Sequence, residues 1–132
     1  MSDFTLDLHR FGTRAVMNAE RIIKKIALDM HSRIVYRTPV DTGRLRANNS
    51  VALGNNPGTS VMAEDKMGRA TVAAGQHALA NYQLTDDIVI YNNVEYASDI
   101  EFNSRSRQAP AGMFRVTFNE ITSHINSYMR SG

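Results

Sequence analysis

The sequence predicts an α+β fold: a long N-terminal amphipathic helix, a small, mostly antiparallel sheet and a C-terminal helix packed on it. Three observations carry the prediction. Apolar residues recur every three or four positions over residues 11–37 and again after residue 110. Between these stretches lie one alternating segment and one β-branched segment. Clusters of turn-forming residues separate the segments, and no repeat, low-complexity tract or linker divides the chain. With 132 residues, 42% of them hydrophobic and 21% charged, the chain is the size of a single domain, 1–132, able to bury one core.

Residues 1–10 read as an N-terminal arm. The first helix spans 11–37, where Phe11, Ala15, Ala19, Ile22, Ile26, Met30 and Ile34 form one stripe. Glu20 with Lys24 and Asp29 with Arg33 are opposite charges four residues apart on its wet face. Thr38-Pro39 stops it, because a residue before proline is driven out of the helical region. Pro39, Asp41, Thr42 and Gly43 then form a structural turn, with Asp41 bracing the backbone and Gly43 supplying a positive φ.

Residues 44–53 alternate: Leu45, Ala47, Val51 and Leu53 against Arg44, Arg46, Asn48 and Ser50. This predicts a half-buried strand with Arg44 and Arg46 on one face. Residues 54–60 are a flexible loop, and a short strand at 61–63 closes a hairpin. Ala70 to Tyr82 is alanine-rich and reads as helix despite Gly75. Ile88-Val89-Ile90-Tyr91, within 87–92, reads as a buried strand. Residues 95–102 suit a helical turn or two, and 103–109 a second flexible loop. The last helix starts at Pro110 and carries the stripe Phe114, Phe118, Ile121, Ile125 and Tyr128.

Composition removes several function classes. The chain has no cysteine, hence no disulfide, thiolate nucleophile or cysteine-ligated metal. No apolar run approaches the roughly 20 residues needed to span a bilayer. Met1 to Arg10 carries Asp3 and Asp7 and lacks a signal-peptide core, which predicts a protein that stays where it is made and meets no membrane. His9, His31, His77 and His124 show no ligand spacing, and His31, near the first helix stripe, reads as a satisfied, partly buried histidine. No nucleophile elbow or phosphate loop is present. The expectation is a non-enzyme with no cofactor or metal.

The net charge of +2 is unevenly spread. Residues 1–50 hold nine bases and five acids, residues 51–132 six and eight, and five acids with no base lie between Asp86 and Glu101. Such a split suits head-to-tail pairing of copies. Arg44, Arg46, Arg105, Arg107 and Arg115 also allow an alternative, a small nucleic-acid-binding domain using arginine faces, though no aromatic residues are interleaved to stack bases.

Arg37-Thr-Pro-Val-Asp-Thr-Gly-Arg-Leu-Arg46 closely resembles the TPVDTGRLR signature of the neck, or tail-completion, proteins of long-tailed double-stranded-DNA bacteriophages. Two later blocks are similar to the same family in the same order: Asn92-Asn93 with Tyr96-Ala97 and Ile100-Glu101-Phe102, then Gln108-Ala-Pro-Ala-Gly-Met113. Asn103 stands where the family usually has glycine, and Asn49 where many relatives carry an aromatic residue. The resemblance implies a structural virion protein of the head–tail junction, made in the host cytoplasm. It would join head-completion (stopper) and tail-terminator rings around the DNA channel, with weak DNA contact there. Copies of itself would form a ring, a hexamer first and a dodecamer next. In that setting Arg44, Arg46, Arg105 and Arg107 are expected at a subunit or partner interface, with Glu95, Asp99 and Glu101 as the opposing acids.

Overall fold

The computed structural model describes residues 2–97, 101 and 112–131. Its elements are α1 (Ser2–Arg37), α2 (Arg44–Ala47), β1 (Ser50–Leu53), α3 (Arg69–Ala78), β2 (Ile88–Tyr91), α4 (Phe114–Ser123) and α5 (Ile125–Ser131). The architecture is α+β: a long N-terminal helix, a two-stranded antiparallel sheet and C-terminal helices packed on α1.

α1 begins at Ser2 rather than Phe11, since no proline or turn cluster intervenes to stop it. It ends where the sequence places its stop: the Thr38 hydroxyl turns back to the Ile34 carbonyl at 2.6 Å, and Pro39 follows. Among the α1 residues whose side chains are described, Ala27, His31, Ile34 and Val35 are buried, so the buried line keeps Ile34 of the predicted stripe but otherwise runs one position beside it, with Ile26 and Met30 half-buried. Asp29 and Arg33 do pair, at 3.2 Å. Glu20 and Lys24 are not left on a wet face. The Glu20 carboxylate accepts from Leu84 N (3.0 Å) and Lys24 Nζ donates to the Ala80 carbonyl (3.4 Å), tying the segment after α3 to α1.

The predicted strand 44–53 forms only from Ser50 onward. Gly43, at φ +94°, turns the chain into a single helical turn whose Ala47 N donates to the Gly43 carbonyl (2.9 Å). Asn48 holds that turn by donating its side-chain amide to the Arg44 carbonyl (2.8 Å). Local asparagine bonds thus defeat the period-two pattern. Arg44 and Arg46 consequently sit on a helical turn and do not share a strand face. No strand forms at 61–63 either, because Val61 N and O bond the Asn48 side chain instead of a ladder partner.

β1 and β2 pair in the register Ser50–Tyr91 to Leu53–Ile88. Every residue of β2 is half-buried rather than buried, as befits a strand with one neighbour. α3 stops at Ala78, four residues before its predicted end, and the tight turns that follow deliver Leu79 and Tyr82 to the core. Two clusters share α1 as their wall. One is Ile34, Leu45, Val94, Ala97 and Met113; the other is Ala27, Leu79 and Tyr82, backed by Val51, Leu53 and Ile88. On the C-terminal helices the buried face is Met113, Thr117, Ile121 and Tyr128, while Phe118 and Ile125 of the predicted stripe are exposed.

Candidate functional site

The site is assembled around the Arg37–Arg46 segment. Arg37 leaves the last turn of α1 and donates to Thr117 Oγ1 and to Glu120 Oε2, both at 2.7 Å. With Arg33 3.2 Å away as well, Arg37 holds the Glu120 carboxyl below the usual carboxylate range. Thr38 is buried and accepts from Asn49 Nδ2 at 2.7 Å. Pro39 is half-buried, and Asp41 and Thr42 form an exposed apex. The brace there falls to Thr42, whose hydroxyl accepts from Arg44 N (3.2 Å), rather than to Asp41.

Gly43 has the predicted positive φ and a second role. Its carbonyl accepts from Asp65 N at 3.0 Å, and a Cβ built on it would lie 2.8 Å from the backbone nitrogens of Asp65 and Lys66. Asp65, docked here, caps α3: its carboxylate accepts from Gly68 N (3.0 Å), Thr71 N (2.9 Å) and the Thr71 hydroxyl (2.6 Å). The Thr71 bond, ahead of the other contributions, holds this carboxyl below its ordinary value.

Arg44 and Arg46 of the predicted interface are both engaged within their own chain. Arg44 meets Glu95 at 2.9 Å and also reaches the Val61 carbonyl (3.4 Å). Its guanidinium bond draws the Glu95 carboxyl down, but the pair is solvent-exposed and worth little to stability. Arg46 donates to the carbonyls of Lys66 (2.7 Å), Thr38 (2.9 Å) and Tyr36 (3.2 Å), binding three segments at once. Glu101 is a buried carboxylate at the start of α4. It accepts from the backbone nitrogens of Met113 (2.6 Å), Phe114 (2.9 Å) and Arg115 (2.8 Å), and Arg115 Nε stands 3.5 Å away. Burial pushes its carboxyl up, yet the three amides and Arg115 more than offset this and hold it low. Gly112, at φ +92°, is needed beside it: an added Cβ would sit 2.8 Å from the Glu101 carbonyl. Asp99, Arg105, Arg107 and the 103–109 loop lie outside the described residues.

The sequence reading overlooked the asparagines. Asn92 Nδ2 donates to the Leu45 carbonyl (2.8 Å) and to Asn49 Oδ1 (3.0 Å), and Asn93 exchanges bonds with Asn56 at 2.7 and 3.0 Å. Three Asn-Asn dipeptides, at 48–49, 55–56 and 92–93, were the available signal. Asn49 is 1% exposed and fully bonded and serves as a polar hub.

His31 is buried, with Nε2 2.8 Å from the Asn49 carbonyl; burial lowers its pKa despite that bond. A cleft of about 420 Å³ near Tyr91, Asn92, Phe114 and Arg115 contains one carboxylate, Glu101, whose oxygens are taken by the α4 amides. Among the described residues no cluster of three or more His, Asp or Glu side chains suits a metal, and no helix is long and apolar enough to cross a membrane. The arrangement braces a turn and joins segments. Comparison of the chain with known protein families, with curated proteins and with solved structures finds no match.

Proposed function

We propose that the chain is a structural, non-enzymatic component of a bacteriophage head–tail junction, acting as a ring of copies between a head-completion ring and a tail terminator. One observation carries the reading. The three sequence blocks that resemble the neck family, far apart in the chain, meet in one place. Leu45 of the first block, Val94 and Ala97 of the second and Met113 of the third pack with Ile34 in a single cluster. Glu101 and Gly112, also in those blocks, form one helix-capping unit. Blocks that cohere in this way form one packed unit, which supports reading them together rather than as three unrelated stretches. Two of the five arginines behind the nucleic-acid alternative, Arg44 and Arg46, bond within the chain, which favours the structural reading.

Electron microscopy of a lysate in which this gene carries an early stop tests the proposal. DNA-filled heads beside complete, unattached tails are the expected products. Normally joined particles would overturn it.

A further inference from the structure

Among the described residues several backbone edges lack hydrogen-bond partners, the outer side of β1 at Val51 and Leu53 included, and two of the others match in length. The first belongs to β2. Gly54 N donates to the Asp87 carbonyl at 2.7 Å, and bonded and unbonded pairs alternate along an antiparallel ladder. Ala52–Val89 and Ser50–Tyr91 are therefore the bonded pairs, and the N–H and C=O groups of Ile88 and Ile90 point away from β1. No described residue bonds them. Ile88-Val89-Ile90-Tyr91 has no charge, proline or bulge of the kind that protects a sheet edge. Beside the strand runs an apolar groove of about 270 Å³, lined by Ile23, Ile26, Met30, Ile88, Ile90 and Phe114.

The second edge lies in the segment after β1, which beyond the left-handed Gly58 (φ +75°) runs from 59 to 65 without turn or bend. Its inner side is fastened at three odd-numbered residues: Thr59 O accepts from Asn93 Nδ2 (2.9 Å), Val61 N and O bond the Asn48 side chain (2.8 and 2.9 Å), and Asp65 N donates to Gly43 O (3.0 Å). In an extended chain successive backbone groups point to opposite sides. The N–H and C=O groups of Ser60, Met62 and Glu64 consequently face outward. Val61 and Met62 are 57% and 78% exposed, unusual for apolar side chains held on a fixed backbone.

We propose that residues 60–64 of one copy add as a third strand to the outer edge of β2 in the next copy. The donor is five residues and the acceptor four, so lengths match. Side chains alternate along the donor, so in either orientation Val61 or Met62 falls on the groove. The occupant is a second copy because the same chain carries both unmatched edges. The contact is heterologous, donor to acceptor, and such contacts propagate around a ring when the rotation closes. This deepens the ring reading, but it rests on edge geometry and is tested without particles.

The full chain has no cysteine, which makes single-cysteine variants informative. Met62→Cys and Asp87→Cys chains are mixed and treated with a short bismaleimide, and self-association of the wild type is followed by sedimentation up to millimolar concentration. Crosslinks between the two different variants should exceed those within either one. Met62→Pro removes an outward N–H and suits an extended neighbour, so it should leave the melting temperature unchanged while weakening association about tenfold. Predominant 87–87 crosslinks would mean that β2 edges pair with each other, overturning the proposal. So would a wild type monomeric throughout, or association indifferent to Met62→Pro. Edge crosslinking with normally joined particles in the early-stop lysate would instead refute only the head–tail role.

Discussion

Replacing glycine by alanine in mid-helix ordinarily stabilises a protein by about 1 kcal/mol. Gly75, in the middle of α3, should do the opposite. A Cβ there would lie 2.3 Å from Nδ1 and 2.5 Å from Cε1 of His31, a ring only 1% exposed and anchored 2.8 Å from the Asn49 carbonyl. The ring has to leave that position. Breaking a buried hydrogen bond costs about 1–3 kcal/mol. Overpacking the core adds about 1–3 kcal/mol. Set against the helical gain, Gly75→Ala should destabilise by about 1–5 kcal/mol, at roughly 3–5 °C of melting temperature per kcal/mol for a chain of this size. The decisive assay is a double-mutant cycle by urea unfolding. In a His31→Ala background the obstructing ring is gone, and the same glycine substitution should become stabilising by up to about 1 kcal/mol. If Gly75→Ala stabilises the wild type, or costs the same in both backgrounds, the packing argument is wrong.

Glu101→Gln should cost about 2 kcal/mol or more, because the α4 amides then face a neutral acceptor in a buried site. The native carboxyl is held below its unfolded value, so its stabilisation is present above about pH 4.3 and lost as pH falls through the lower folded pKa. The variant's stability should thus depend less on pH below that value, as urea midpoints along an acid series would show. Gly43→Val, which puts a side chain on backbone at φ +94°, should lower the melting temperature by several degrees; an unchanged melt would contradict the close approach to Asp65 and Lys66. The Tyr128 hydroxyl donates to Asp29, and burial together with that bond raises its pKa to about 12. Ultraviolet titration should find Tyr128 ionising late, with Tyr82 also shifted upward by burial, and stability falling as pH rises above about 10, where the unfolded phenol gives up its proton first.

Long-period features were legible in the sequence. The first helix and its stop at Thr38-Pro39 were there, as were β2, the turn glycine and the Asp29–Arg33 pair, because each depends on neighbours in the chain. The failures share one cause. Between residues 44 and 63 the backbone is bonded by asparagine side chains, from Asn48 within the segment and from Asn92 and Asn93 beyond it. Asn48 takes the place of a partner strand for Val61, and Arg46 gathers three carbonyls. No periodicity encodes such contacts. The exposed Phe118 fails for a related reason: Thr117, bonded to Arg37 and to the Met113 carbonyl, takes the inward position that hydrophobicity alone assigns to an aromatic neighbour.

The location of these contacts bears on how such a domain could dock. A two-stranded sheet is marginal by itself. Here it survives because α1 walls both clusters and because a polar lattice of Thr38, Arg46, Asn48, Asn49 and Asn92 locks the segments before and after β1. That lattice engages both terminal guanidinium nitrogens of Arg46, which the Arg37–Arg46 segment would otherwise offer a partner. An interface built on Arg44 would first have to break its bond to Glu95, gaining only an exposed pair in exchange. The outer edges of β2 and of residues 60–64 demand no such rearrangement, since their hydrogen-bonding groups are already aligned and without protein partners among the described residues. Binding through preformed edges avoids most of the ordering cost that a loop would incur. On this reasoning the signature segment builds the fold, and copies meet through the plain backbone it holds in place.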